Sequence, residues 1–239
     1  MLCSRLAKLS LSFLILYSLQ ISAAPIKDKE RDYLERYGYI EEVDPLGIDT
    51  RSTDDVEDAI KQFQEYAGLP QTGILDDETK EAMGRSRCGN KDKLIALRSN
   101  DKWRKKDLTY RLKNYPSNSR LKKEEVDDAV KNAFAMWQKV SSLRFKNNKF
   151  GNADIEISFE PVRHGDDDFL PGELAHAFFP GDGGDMHIAD SEFWTMNEYN
   201  GKNLLGIVVH ELGHSLGLDH SKATGAVMAP IYRGWDPFL

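Results

Sequence analysis

Residues 210–220 read HELGHSLGLDH, and half of the chain's six histidines fall in this stretch. His210 and His214 are one helical turn apart, so a helix projects both imidazoles from one face. Gly217 can take a positive φ, which ends the helix sharply and returns His220 to the same point in space. Three neutral imidazoles leave one position of a tetrahedral zinc open for water. Glu211 lies between the first two ligands and can reach that water as a general base, at a metal that lowers the water's pKa to about 7. The chemistry expected is metal-assisted hydrolysis. A helix that merely contains histidines is the alternative; chance occurrence of this pattern at the chain's composition is on the order of 10⁻⁵.

The other three histidines precede that helix. His164, Asp166, His176 and His187 sit in HGDDD, LAHAFF and GGDMHIA. Four N/O ligands with no free position would make a closed, structural zinc site, although scattered histidines more often pack or cap. Cys88, in SRCGNKD, raises a separate question. Its only possible partner is Cys3. Arg5 and Lys8 precede the apolar run LSLSFLILYSLQI, and Ser22, Ala23 and Ala24 follow it. That order reads as a secretory signal peptide over 1–24, too short to span a bilayer. Its removal takes Cys3 away, so Cys88 is an accident, an intermolecular link or a functional thiol.

The elements that must position these groups are legible from periodicity. Three short helices precede Cys88: one over about 28–38, one after Ser52 and Thr53 with Val56, Ala59, Ile60, Phe63 and Ala67 on one stripe, and one from near Asp76. A polar, lysine-rich stretch follows and marks a linker. LTYRLKNY (108–115) alternates as a strand does. Residues 121–140 form a long amphipathic helix with Val126, Ala129, Val130, Ala133, Phe134, Trp137 and Val140 on its buried face. Strand-like runs LRFK, ADIEISF, LAHAFF and DMHIA come next, then the helix LLGIVVHELGHSLG. No internal repeat is visible.

Charge supports two domains. Residues 25–92 carry 18 acidic and 10 basic side chains, a balance of −8, whereas 93–239 carry 21 and 20. No basic stripe exists beyond WRKK at 103–106, which argues against nucleic acid. No apolar stretch after the leader could span a membrane, so an exported, soluble and monomeric chain is expected.

HELGHSLGLDHS followed by Met228 resembles the metzincins, and among them the matrixins, or matrix metalloproteinases. The resemblance covers nearly the whole mature chain: YLERYGYI, AIKQFQEYAGLPQTGILDDET and RCG are similar to a matrixin propeptide, and LTYRL, ADIEISF, LAHAFFPG and GGDMH to its catalytic domain. It implies an α+β fold in which a small three-helix propeptide domain precedes a twisted five-stranded sheet with crossing helices. The implied organisation is signal peptide 1–24, propeptide 25–92, linker and activation region 93–106, and catalytic domain 107–239. It implies two zinc ions, one at His210, His214 and His220 and a structural one at His164, Asp166, His176 and His187. It gives Cys88 a role as the inhibitory thiolate on the catalytic zinc of a latent zymogen. Met228 would form the turn beneath that zinc. Calcium would be held around Asp154, Gly183 and Asp185, with Glu192 matching a second calcium position where Ala189 replaces the usual Asp. Ala175, Ile207, Pro230 and Tyr232 would line the substrate pocket.

The implied activity is that of a secreted zinc endopeptidase acting on extracellular matrix or other extracellular proteins, open to protein inhibitors of metalloproteinases. A substrate strand would pair antiparallel with the LAHAFF edge. Two departures stand out. The family pattern P-R-C-G-x-P-D is interrupted by Ser86, Asn90 and Lys91, so a leaky latency is expected. The chain ends at Leu239, before the closing helix and without a haemopexin-like domain, which is read as a short form. A truncated, matrixin-like protein that binds without turnover is the rival; the intact Glu211 and Cys88 argue against it.

Overall fold

The computed structural model describes residues 27–41, 53–92 and 102–237. The leader expected over 1–24 lies outside the described residues. Two hydrophobic cores organise the rest. The N-terminal core is built by α1 (Asp28–Arg36), α2 (Thr53–Ala67) and α3 (Asp77–Met83) around Leu34, Ala59, Ile60, Phe63, Ala67 and Ala82. The stripe on α2 therefore faces inward as its spacing predicts. Asp76 caps α3 by accepting the Thr79 N–H at 2.8 Å. Ile231, from the far end of the chain, is buried in this same core.

The C-terminal core lies between a mixed sheet and two helices, α4 (Lys123–Val140) and α5 (Leu204–Ser215). The strands are β1 (Arg87–Cys88), β2 (Asp107–Leu112), β3 (Arg144–Asn147), β4 (Ile155–Glu160), β5 (Glu173–Ala177) and β6 (Met186–Ala189), in the order β1-β5-β6-β4-β2-β3. All neighbours run parallel except β5 and β6. Five of these strands lie after residue 106, as expected; the sixth, β1, comes from the N-terminal portion. Two residues between polar neighbours carry no period, so nothing in the sequence marks β1 as a strand. It forms because β5 is an edge strand whose free backbone groups it pairs. A small parallel pair, β7 (Trp194–Thr195) and β8 (Lys202–Asn203), precedes α5.

Along α4, Val126, Ala129, Val130, Ala133 and Phe134 are buried and Trp137 is partly so, but Val140 is 76% exposed. The stripe outruns the core by one turn. The expected linker over 93–106 is also shorter than expected. Trp103 packs on the C-terminal core and its indole N–H donates to Ser215 O at 2.8 Å, so the folded domain includes at least 102–106. Among the described residues no helix is long and apolar enough to cross a membrane.

Candidate metal centre

The helix α5 starts at Asn203, whose side chain accepts the Gly206 N–H at 2.9 Å, and it ends where Gly217 takes φ 97°. The expected reversal is present: Gly217 N–H reaches His214 O at 2.8 Å and Leu218 N–H reaches Gly213 O at 2.9 Å. This turn brings His220 back against the helix. His220 Nε2 lies 3.2 Å from His210 Nε2 and 3.1 Å from His214 Nε2. The fourth group is Cys88, whose Sγ is 3.5 Å from His214 Nε2. All four side chains are buried, and their ligand atoms lie within 4.8 Å of one another.

The donor set suits zinc. Zn–N bonds near 2.05 Å and a Zn–S bond near 2.3 Å in a tetrahedron separate the ligand atoms by about 3.3 and about 3.6 Å, close to the observed spacing. His210 Nδ1 contacts Val227 O at 2.8 Å and His214 Nδ1 contacts Leu218 O at 2.7 Å. Both rings therefore carry their proton outward and turn a lone pair inward. Burial holds His210 down to about 3 and His214 well below the usual imidazole range, so both are neutral. Inward lone pairs about 3 Å apart repel one another unless a cation lies between them. Burial pushes the Cys88 thiol up, with Glu211 next in effect; a divalent cation at this point reverses that and ionises the sulfur.

Beside the ligands, Glu211 is fully buried; neither carboxylate oxygen makes a well-aligned hydrogen bond, and the Cys88 thiol is the polar group that stands against it. Burial raises it to about 8, while the adjacent Cys88 pulls the other way. A buried carboxyl without a well-aligned hydrogen bond is costly, and an active site is where such a cost is retained. Met228, at 7% exposure, packs beneath α5 at Gly213, where a Cβ would stand 2.2 Å from its sulfur. Any larger residue at 213 would have to displace the Met228 side chain.

The Cys88 strand fills a cleft with two walls. On one side Arg87 N–H donates to Gly172 O at 3.0 Å and Gly89 N–H to Ala175 O at 2.8 Å; on the other Cys88 N–H donates to Pro230 O at 3.0 Å and Ser86 O accepts from Tyr232 N–H at 2.8 Å. Of the expected pocket residues, Ile207, Pro230 and Tyr232 line a cavity of about 170 Å³ with Gly206 and His210, while Ala175 lies opposite Cys88 in the strand register.

Arg87 and Asp92 belong to the pattern around Cys88, but the partners that hold this segment through them carry no mark in the sequence. Arg87 is 2% exposed and donates to Cys88 O, Tyr33 Oη and Asp92 Oδ1 at 3.0, 2.7 and 2.5 Å, with its guanidinium 3.4 Å above the Tyr37 ring. Asp92 also accepts from Tyr39 Oη and lies 2.7 Å from His220 Nδ1. Arg36 forks onto Glu173 at 3.0 and 3.2 Å and reaches Asp167 at 2.6 Å. Ser86, in place of the first proline, and Asn90, at the pattern's free position, are both engaged. Asn90 pairs with the Ala177 backbone through both its amide groups, at 2.8 and 2.9 Å, and Ser86 Oγ accepts from Lys202 at 2.6 Å.

The second cluster also assembles. His176 and His187 are register partners on β5 and β6, with His176 Nε2 3.2 Å from His187 Nδ1. Asp166 Oδ1 lies 3.0 Å from His164 Nε2 and 3.5 Å from His187 Nδ1. Burial lowers His176 to about 4 and lowers His187 as well. The calcium residues are a different matter. Asp154 accepts from Thr109 at 2.7 and 2.9 Å and pairs with Lys105 at 2.6 Å, and Asp185 accepts the Glu156 N–H at 2.9 Å. Gly183 has φ 109° after a short 3₁₀ turn. Among the described residues, neither the Asp154–Asp185 pair nor Glu192 belongs to a gathered group of three or more His, Cys, Asp or Glu side chains.

Comparison with known proteins agrees with this geometry. A family model described as Matrixin matches residues 102–237, and one described as a putative peptidoglycan binding domain matches 31–83. Matrix metalloproteinase-19 of Mus musculus is 40% identical over 247 residues, covering 97% of this chain and 45% of its own length. Macrophage metalloelastase of Rattus norvegicus is 40% identical over 243 residues, covering 96% and 52%. Neutrophil collagenase of Homo sapiens is 39% identical over 237 residues, covering 93% and 50%. The chain thus spans about half the length of these curated relatives.

Proposed function

The chain belongs to the matrixin family, and from that premise we propose that it is a secreted zinc endopeptidase made as a latent zymogen. The observation that carries the reading is Glu211: fully buried, without a well-aligned hydrogen bond, and one residue from the first of three converging imidazoles. His210, His214 and His220 hold the catalytic zinc, which when bound supplies Lewis acidity toward a scissile carbonyl. Glu211 accepts a proton from the attacking water and returns it to the leaving amine. Burial that raises its affinity for protons suits that task.

The cleft walls bind an extended substrate. Gly172 O and Ala175 O on the β5 side, with Pro230 O and Tyr232 N–H on the other, are the backbone groups that β1 now uses. Gly206, Ile207, Pro230 and Tyr232 receive the side chain after the cut. β1 runs parallel to β5, the reverse of the polarity expected of a substrate, so the latent strand fills the cleft without offering its own bonds in the reactive orientation. Cys88 Sγ takes the position that water needs, which makes 25–92 an inhibitory propeptide. His164, Asp166, His176 and His187 hold a second, structural zinc. Extracellular proteins are the substrates, metalloproteinase inhibitors the partners, and the leader at 1–24 directs export.

A thiol-reactive mercurial added to the purified zymogen should release hydrolysis of a fluorogenic peptide, and a chelator should abolish it. No cleavage after complete thiol modification, with zinc present by elemental analysis, overturns the reading.

A further inference from the structure

The three imidazoles at the centre differ in who holds their outer nitrogen. His210 Nδ1 meets Val227 O at 2.8 Å and His214 Nδ1 meets Leu218 O at 2.7 Å. Both carbonyls belong to the C-terminal domain and stay there. His220 Nδ1 meets Asp92 Oδ1 at 2.7 Å, and Asp92 belongs to the segment that carries Cys88. Both side chains of that pair are fully buried. The contact is close but outside hydrogen-bond alignment, so the nitrogen is buried without a hydrogen bond and Asp92 is the acceptor that faces it.

Asp92 is itself fixed from three sides. Arg87 donates to Oδ1 at 2.5 Å, Tyr39 Oη donates to Oδ2, and Tyr66 Oη donates to the Asp92 carbonyl at 3.0 Å. Its own N–H is held by Tyr37 O at 3.0 Å. A small turn of the imidazole lets this carboxylate do for His220 what the two carbonyls do for its neighbours: accept the Nδ1 proton, fix the ring's orientation and raise the basicity of the inward nitrogen.

We propose that Asp92 is a positioning residue for the third zinc ligand, so that the propeptide contributes to metal retention through His220 as well as capping the metal through Cys88. The proposal rests on the reading of this centre as a zinc site. Its consequence is that propeptide removal takes away two supports at once: the sulfur ligand, and the outer partner of His220 alone. The zymogen is therefore the form in which the metal is most firmly held, and the mature form has one imidazole freer to reorient than the other two.

The test separates metal retention from latency by working at full length in a Cys88→Ser, Glu211→Gln background, which lacks the sulfur ligand and does not cut itself. Zinc release into an excess of chelator is followed for that protein and for the same protein carrying Asp92→Asn or Tyr39→Phe. Asp92→Asn should speed release by roughly 10–100-fold, the usual cost of losing an outer partner. Tyr39→Phe, which removes a bond to Asp92 but leaves the carboxylate facing His220, should stay near the background rate. Equal rates for the two variants would make Asp92 a fold-holding residue only and overturn the proposal. Should Asp92→Asn fail to fold, imidazole proton NMR of the zinc-loaded wild type decides. The zymogen should show three slowly exchanging Nδ1–H resonances, and processing should remove that of His220 alone. Two resonances before processing, or three after it, would refute the assignment. A zymogen that binds no zinc at all is a separate outcome, which sinks the reading of the centre itself.

Discussion

The two histidine clusters are built from similar side chains and differ in what surrounds them. At His164, Asp166, His176 and His187, every ligand comes from one stretch of 24 residues, two of them facing each other across neighbouring strands. The fourth ligand is a carboxylate on the same loop, so the set is closed and nothing in it detaches. At His210, His214 and His220, the fourth ligand arrives from β1, more than 100 residues away, on a segment that only lines the cleft. Beside it waits Glu211, buried and without a well-aligned hydrogen bond. A closed set stabilises a fold; a set with one removable ligand and an idle base is a reaction centre held off. Chemistry of the ligands alone does not separate the two, but the origin of the fourth one does.

The largest effect that would break this contrast lies at Glu211. Glu211→Gln should leave both metals in place and cut peptide hydrolysis by about 10²–10⁴-fold, as read from the initial rate of the mercurial-activated protein. Near-normal turnover would mean that the idle base is not the base. Next comes the removable ligand. A hydroxyl is a far poorer zinc partner than a thiolate, so full-length Cys88→Ser should be active without any activator and prone to cut itself ahead of Trp103. Matching rates for wild type and Cys88→Ser, both well above zero, would deprive Cys88 of its role.

The closed set should respond in the opposite way. His187→Ala is expected to lower the zinc content from two ions to one and to lower the midpoint of thermal unfolding, because an ion bound only by the folded state stabilises it. Cleavage by the surviving centre, measured well below that midpoint, should persist. Loss of all cleavage at a temperature where the fold is intact would erase the distinction between the clusters.

Protons test both clusters at once in the metal-free protein. Burial lowers His176 to about 4 and His210 to about 3, below the ordinary value near 6.5. Between those values the unfolded chain binds more protons than the folded one, so stability is full above about 6.5 and falls as pH drops toward 4 and then 3. Glu211, raised to about 8, is protonated in the folded state across this range and opposes the decline, so the test is chemical denaturation of the chelated Glu211→Gln zymogen from pH 7.5 to 4.5, which should show it. A flat profile would mean that the imidazoles are not held neutral by burial.

How much of this could be read beforehand depended on whether the determinant was local. His210, His214, Gly217 and His220 are set by one helix and one turn, and their positions follow from spacing. The α2 stripe and most of the α4 stripe follow from period 3.6. What failed was non-local. β1 has no pattern of its own and is a strand only because β5 offers an edge. Val140 obeys the helical period but extends past the core that would bury it. Asp92 and His220 are 128 residues apart, and Arg36 and Glu173 137 apart; no spacing rule connects such pairs. For calcium, the acids at 154, 185 and 192 are present, but Thr109, Lys105 and the Glu156 amide already engage two of them.

The smallest expected effect bears on how tightly the removable ligand is held. Ser86 and Lys91 stand where the pattern around Cys88 has prolines, which suggests that latency leaks. Yet Asn90, at the position the pattern leaves free, makes two hydrogen bonds to Ala177, one donated and one accepted, in the manner of an added strand residue. Its N–H also lies 3.4 Å from Cys88 Sγ, where it supports negative charge on the sulfur. Each such bond contributes about 1 kcal/mol net, so Asn90→Ala should favour the open state by roughly tenfold or somewhat more. Since Cys88 keeps its own bond to the metal, the rise starts from a low base and stays well short of Cys88→Ser. The measurement is the residual rate of full-length protein on a peptide before activation. If Asn90→Ala is as silent as wild type, the asparagine bonds add nothing to latency, and the hold on the cleft lies in Arg87, Asp92 and Arg36.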